Sequence, residues 1–168
     1  MKLMAFNCHK DKFKIPFEFS DYSARATYAA HLAHNKSIIP ASYIGDYITS
    51  FEYDANEGKL TGHVDKVLGW VVLFSLGCTA KFYIKGPQMV QKKGKNTYSM
   101  QKYSLIVINF ESGDVLVFNG GTEYNIYHGI DEIVSDTCPP YLDLPKSRIS
   151  LQMRQTERND NYRARKYY

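Results

Sequence analysis

Long apolar runs are missing from this chain. No stretch approaches the ~18 residues that a membrane-spanning helix needs, which excludes a helical span. Cysteine is scarce as well: Cys8, Cys78 and Cys138 lie far apart, with no C-x-x-C spacing. That excludes a disulfide framework and a zinc ribbon and points to a reducing compartment. Met1-Lys2-Leu3-Met4-Ala5-Phe6 passes at once into polar residues, so no secretory leader is read there. A soluble, intracellular protein of the cytoplasm or nucleus is expected. Neither sign of charge dominates: 21 Lys+Arg against 17 Asp+Glu leave a net charge of +4, mildly basic overall. The excess is local, in Lys92, Lys93 and Lys95 and in the tail around Arg158, Arg163, Arg165 and Lys166. Such clusters suit phosphates, or are simply solvated loops.

What the chain has in abundance is aromatic residues, 14 Tyr and 9 Phe beside a single Trp, and these favour strands. At 168 residues it fits one domain with a real core. No internal repeat or linker divides it. Its segments read as a helical or lid segment over 1–42, a core over 43–156 and a basic tail over 157–168.

Ser20 or Asp21 is placed to cap a helix running through Ala24, Tyr28, Ala29 and Leu32 to about Asn35, with Pro40 ending it. From Tyr43 onward the pattern has period two. Strands are expected over 47–53, 59–63, 70–75, 80–84, 98–109, 115–118, 123–128 and 149–154, with Lys85 to Asn96 as a polar connection. Short strands with Gly-rich turns predict a mainly β fold, a sandwich or jelly roll with a short N-terminal helical segment.

Three fragments carry chemistry. In a strand, residues i and i+2 share a face, so His63 and Asp65 of His63-Val64-Asp65 project together. A third ligand must come from His9, His31, His34 or His128. His128 is preferred, since it ends a β-rich segment and Gly129 would let the backbone turn close to an ion. Two His and one carboxylate form the facial triad of non-heme Fe(II) oxygenases, which leaves open positions for a chelating co-substrate and dioxygen. The alternative is a surface His beside an ion-paired Asp. His31 and His34 share a helix face but lack an acidic or thiol partner at ligand spacing, and are taken as structural.

The last fragment, Arg148 to Arg154, alternates strictly. Ile149, Leu151 and Met153 make an apolar face; Arg148, Ser150, Gln152 and Arg154 line the other. The two arginine Cα atoms would stand ~20 Å apart, near enough for long side chains to frame a small dianion. The alternative is an exposed polar face on an edge strand.

Read together, Tyr53, Gly58 to Lys66, Phe74-Ser75-Leu76-Gly77, Ser112 to Phe118, Gly120-Gly121, Tyr127-His128-Gly129-Ile130 and Arg148 to Arg154 resemble the AlkB family of Fe(II)- and 2-oxoglutarate-dependent dioxygenases. The fragments run in family order, span roughly 47–155, and end in the R-x5-R of that family. The resemblance implies a double-stranded β-helix, a jelly roll with the metal in its mouth. His63, Asp65 and His128 would hold Fe(II). Arg148 would take the distal carboxylate of 2-oxoglutarate with Tyr53, while Arg154, and Ser150 between the arginines, would complete the co-substrate site. Dioxygen would be the oxidant.

The implied substrate is an alkylated nucleobase, single-stranded or flipped from its stack, acted on by a monomer. Tyr124 and Lys66 are candidate substrate contacts, with Tyr43 and Tyr47 as further stacking aromatics. The chain departs from the family at Phe51 (usually Asn), Val67 (often an acid), Glu123-Tyr124 (usually Ser-Arg), Ser150 and Gln152, and in a short segment ahead of the core. The other readings are a dioxygenase of the same fold acting on a protein or small molecule, and a non-catalytic binding protein.

Overall fold

The computed structural model describes residues 6–9, 15–34, 39–43, 45–65, 67, 69–91, 98–121, 126–144 and 146–155. Among the described residues, nine strands and one helix follow in the order β1 (Phe6–His9), α1 (Phe17–Ala33), β2 (Tyr47–Asp54), β3 (Leu60–His63), β4 (Trp70–Gly77), β5 (Ala80–Gln91), β6 (Tyr98–Phe110), β7 (Val115–Asn119), β8 (Tyr127–Ile133) and β9 (Ser147–Arg154). They form two antiparallel sheets: a major one ordered β1-β2-β9-β4-β7 and a minor one ordered β3-β8-β5-β6. This is the expected mainly β jelly-roll architecture with a short helix.

Strand parity divides the apolar side chains of the major sheet between two cores. Tyr53, Leu73 and Leu116 face inward and meet Phe82, Phe110, Ile130 and Ile133 of the minor sheet. Ile48, Val72, Met153, Trp70, Phe74 and Val117 face the other way, under Phe19 and Ala26 of α1. The helix thus closes the outer side of the major sheet, and the space between the sheets is left for the site.

Several expectations need correction. The helix begins at Phe17, after Pro16 at its N-cap, rather than at Ser20 or Asp21; proline's fixed φ and missing N–H cost nothing at a helix start. It stops at Ala33, well before Pro40. Its buried positions are Ser23 and Thr27, whereas Tyr28 and Leu32 are exposed. Ser23 Oγ donates to Phe19 O (2.6 Å) and Thr27 Oγ1 to Ser23 O (2.8 Å). These back-bonds let small hydroxyl residues face a core without an unsatisfied group.

Strand β1, four residues long, is too short to show a period. The connection expected from Lys85 is instead a continuation: β5 reaches Gln91 and β6 resumes at Tyr98, paired along that length with a register shift between Gly86 and Gln88. Backbone ladders form whatever the polarity of the side chains, so a polar hairpin arm looks like a loop in sequence. Residues 92–97, with the lysine cluster, and 156–168, with the basic tail, lie outside the described residues.

Strand β8 starts at Tyr127 and carries on past His128 to Ile133. Gly129 is therefore not a turn. A Cβ there would come within 2.5 Å of Leu60 O and of the Tyr83 hydroxyl, so glycine permits close approach inside the sheet.

Gly77 is glycine for a different reason. It has φ +89° and sits opposite Arg148, and a Cβ would strike the Ser147 carbonyl. Gly113 has a similar φ of +94° but open space around it. Gly77→Ala should cost roughly 1–3 kcal/mol from backbone strain plus collision, and clearly more than Gly113→Ala. Urea unfolding of the two variants checks this; equal losses would contradict it.

Candidate metal and co-substrate site

Strand β9 is not an edge strand. It lies between β2 and β4 in the major sheet, and its polar face is the buried one, since Arg148, Ser150 and Gln152 are all nearly inaccessible. The register builds rows across three strands. Tyr53 and Gly77 flank Arg148, Phe51 and Ser75 flank Ser150, and Thr49 and Leu73 flank Gln152. The exposed-face alternative is thereby overturned.

Opposite these rows, β3 and β8 bring two imidazoles together: His63 pairs with His128, and the ring centroids lie 4.6 Å apart. Strand β3 ends at His63, so Asp65 reaches the site from the following loop rather than by strand parity. Its Oδ1 lies 3.7 Å from His63 Nε2 and its Oδ2 3.5 Å from His128 Nε2. One ligand-capable atom from each of the three residues falls within 4.8 Å of the others.

Both rings have a defined tautomer. His63 Nδ1 lies 3.0 Å from Thr61 O and His128 Nδ1 lies 3.1 Å from Ile126 O. A carbonyl only accepts, so each Nδ1 donates and each Nε2 keeps its lone pair toward Asp65. Two lone pairs and a carboxylate converging on one point repel one another unless a cation lies between them. The donor set of imidazole and carboxylate suits a divalent transition metal, and the carbonyl partners are the usual way such ligands are oriented.

Arg154 Nη2 is 2.8 Å from Asp65 Oδ1 and also donates to Gln152 Oε1. Arg148, fully buried, donates from Nη1 to Ser75 Oγ, to Phe110 O (3.1 Å) and to Cys78 O (3.4 Å), with Phe110's ring 4.9 Å from its Cζ. Among the described residues, seven buried side-chain polar atoms lack a hydrogen-bond partner, and all belong to this face. They are Thr49 Oγ1, Tyr53 Oη, Asp65 Oδ2, His128 Nε2, Arg148 Nε and Nη2, and Arg154 Nε. Folded proteins leave few such atoms, because each costs roughly 1–3 kcal/mol.

A model of the 2OG-Fe(II) oxygenase superfamily matches residues 16–154. The chain belongs to that superfamily. Among solved structures it is similar to the one titled "The structure of OsALKBH1", with 28% identity, a TM-score of 0.60 and 84% of this chain covered. The chain spans 66% of that protein's length, about two thirds. No curated protein sequence matches it. The fold is AlkB-like, and enzymes of this superfamily hold Fe(II) as cofactor and consume 2-oxoglutarate and dioxygen.

The electrostatics suit those reactants. Burial pushes the Asp65 carboxyl up, but His63, Arg154 and His128 outweigh it and hold the group below the usual carboxylate range. His63 is raised, chiefly by Asp65, and His128 is lowered, chiefly by burial. Burial pulls the Arg148 guanidinium down to about 10 and pushes the Tyr53 phenol up to about 12. Both keep their protons at neutral pH, as donors to an anion must. Phe82 and Phe118 pack against His128, with centroids 5.7 and 4.8 Å away, and wall off water.

The expected residues His63, Asp65, His128, Tyr53, Arg148, Ser150 and Arg154 all meet at this face. Lys66 and Tyr124 lie outside the described residues. Tyr43 does not fit its expected stacking role: it is buried on the helix side of the major sheet, donating to Trp70 O and Met153 O. Thr49 is not singled out in the sequence, and Ser75 stands there only as part of the family-like fragment Phe74 to Gly77, with no role of its own. Ser75 is the one polar side chain in the otherwise apolar strand β4, and that was the available signal.

Among the described residues no helix is long and apolar enough to cross a membrane.

Proposed function

We propose that this chain demethylates N-alkylated nucleobases oxidatively, holding Fe(II) through His63 Nε2, the Asp65 carboxylate and His128 Nε2. The observation that carries the reading is the set of seven orphaned atoms. Their chemistry matches a divalent cation at one end and a dicarboxylate at the other. Bound Fe(II), 2-oxoglutarate and dioxygen supply an oxidation that hydroxylates the N-alkyl carbon while 2-oxoglutarate becomes succinate and carbon dioxide; the hemiaminal then releases formaldehyde.

The protein's part is orientation and exclusion of water. Arg148 presents Nε and Nη2, the two parallel donors on one edge of its guanidinium, to the distal carboxylate, and Tyr53 adds its hydroxyl from the neighbouring strand. Arg154 holds Asp65 Oδ1, the oxygen on the His63 side, and leaves Oδ2 free toward His128. Thr49 and Ser150 line the path between the arginines. His63 is only half buried, so the substrate approaches from its side.

The nucleobase as substrate rests on the AlkB-like fold and on the fragments in family order. Succinate release stimulated by methylated, but not by unmodified, oligonucleotides tests it. Stimulation by neither would point to a protein or small-molecule substrate at the same centre.

A pH effect follows from the ligands. An imidazole must be deprotonated to bind metal, and the raised group, His63, takes up a proton at a higher pH than an ordinary histidine. As pH falls, Mn(II) affinity should start to drop above the ordinary imidazole value of 6.5, through His63 rather than His128. Calorimetric titration across pH 5–8 measures this. An affinity that stays constant to well below that value would contradict it.

A further inference from the structure

We infer that Ser75 is a positioning residue for 2-oxoglutarate, acting through Arg148 by selecting which edge of the guanidinium faces the co-substrate. The inference rests on the co-substrate reading above and adds a residue to it.

A guanidinium in a strand-lined cavity can turn about its last side-chain bonds and offer any of its edges. Here Nη1 is tied down by three acceptors: Ser75 Oγ, Phe110 O and Cys78 O. The two carbonyls are backbone atoms of the β4–β5 turn and the end of β6, and any residue there would supply them. The hydroxyl is the one contribution that depends on side-chain identity. Ser75 Oγ donates its own proton to Phe110 O at 3.4 Å, so its lone pairs are directed to Arg148. A guanidinium N–H can only donate, so the serine is the acceptor toward the arginine, and its own proton is left to face Phe110 O.

With Nη1 consumed, the atoms left over are Nε and Nη2. They are the two parallel N–H groups that match a carboxylate in bidentate fashion. The choice is reinforced by the sheet: Ser75 is the neighbour of Ser150 in the register, one row from Arg148, and Gly77 directly opposite Arg148 leaves no side chain to compete. Ser75 touches neither metal nor co-substrate in this arrangement. Nη1 has two protons for these three acceptors, so removing the hydroxyl leaves it held only by Phe110 O (3.1 Å) and the long contact to Cys78 O (3.4 Å), which loosens the pre-organised edge without removing the charge.

The test is a double-mutant cycle on the full chain, reading 2-oxoglutarate affinity by calorimetry with Mn(II) bound. Ser75→Ala should weaken 2-oxoglutarate roughly 3- to 10-fold, the scale of one hydrogen bond, while Mn(II) affinity stays unchanged. In the Arg148→Ala background the same Ser75→Ala change should have no effect. Ser75→Cys, which keeps the size but is a weak acceptor, should fall between serine and alanine and carries the cycle if the alanine variant does not fold. An equal loss in both backgrounds, or an altered Mn(II) affinity, would make Ser75 merely structural and overturn the inference. If Arg148→Ala alone bound 2-oxoglutarate as the wild type does, the co-substrate reading itself would fail instead.

Discussion

Arg148→Met raises the melting temperature of the protein free of co-substrate and abolishes its stabilisation by 2-oxoglutarate. Arg148 is fully buried between the sheets, and among the described residues no carboxylate lies within ion-pair distance of it. Burial pulls its pKa down to about 10, which means that the fold resists the charge. Replacing buried ionic groups by apolar side chains of similar volume is often neutral or stabilising, by about 1–4 kcal/mol for whole ion pairs, and Arg148 has no carboxylate partner among the described residues to leave uncompensated. Against this stands the loss of donors to Ser75 Oγ, Cys78 O and Phe110 O. That loss is the smaller term, because Phe110 O keeps the Ser75 hydroxyl and the Cys78 contact is long. Each kcal/mol gained moves the melting temperature by roughly 2–4 °C in a domain of this size.

The wild type recovers its cost only when a dianion arrives. Ligand at 100 times its Kd contributes about 2.7 kcal/mol by mass action, and the methionine variant should gain none of it. Thermal melts of both proteins with and without 2-oxoglutarate are sufficient. A variant that melts lower than the wild type without ligand and still shifts upward with it would contradict the assignment.

The second large effect is expected at Asp65, which has two roles in one carboxylate. It faces the two imidazole Nε2 atoms, and it neutralises Arg154 at 2.8 Å. Asp65→Ala should remove Mn(II) binding and reduce turnover to background, since a triad with one ligand missing no longer closes. It should also destabilise the metal-free protein by about 3 kcal/mol, the low end for breaking a buried ion pair, because Arg154 keeps some contact with solvent. Asp65→Asn separates the roles. Its amide oxygen still accepts from Arg154 but does not neutralise it, so the loss of stability should be smaller than in Asp65→Ala while metal binding is lost. Metal binding retained in both variants would remove Asp65 from the site.

The parts of the site legible in sequence were those whose residue type is rare unless used. Two arginines six residues apart on an alternating strand, and a histidine two before an aspartate, carry their chemistry in their identity. Which face they take is not written in the alternation alone. The polar face of β9 looks like a solvent face until β2 and β4 are found on either side of it.

The roles of Thr49 and Ser75 are hidden for the same reason, since a hydroxyl residue in a strand is ordinary and only its burial without a partner, or against a buried arginine, marks it. Local chemistry misled in other places. Gly129 read as a turn but serves close packing within β8, and the apolar residues of α1 suggested a face that the helix turns outward, with Ser23 and Thr27 inward. The full length of β5 is hidden because its backbone pairing with β6, itself expected over 98–109, does not depend on apolar side chains.

The most direct test of the iron and co-substrate site is the visible charge-transfer absorption of the protein with Fe(II) and 2-oxoglutarate under anaerobic conditions. The wild type should show the weak band of a metal-chelated 2-oxo acid, and the His128→Ala and Asp65→Asn variants, folded by circular dichroism, should not. A folded wild type without the band, or variants that keep it undiminished, would contradict the site built from His63, Asp65, His128 and Arg148.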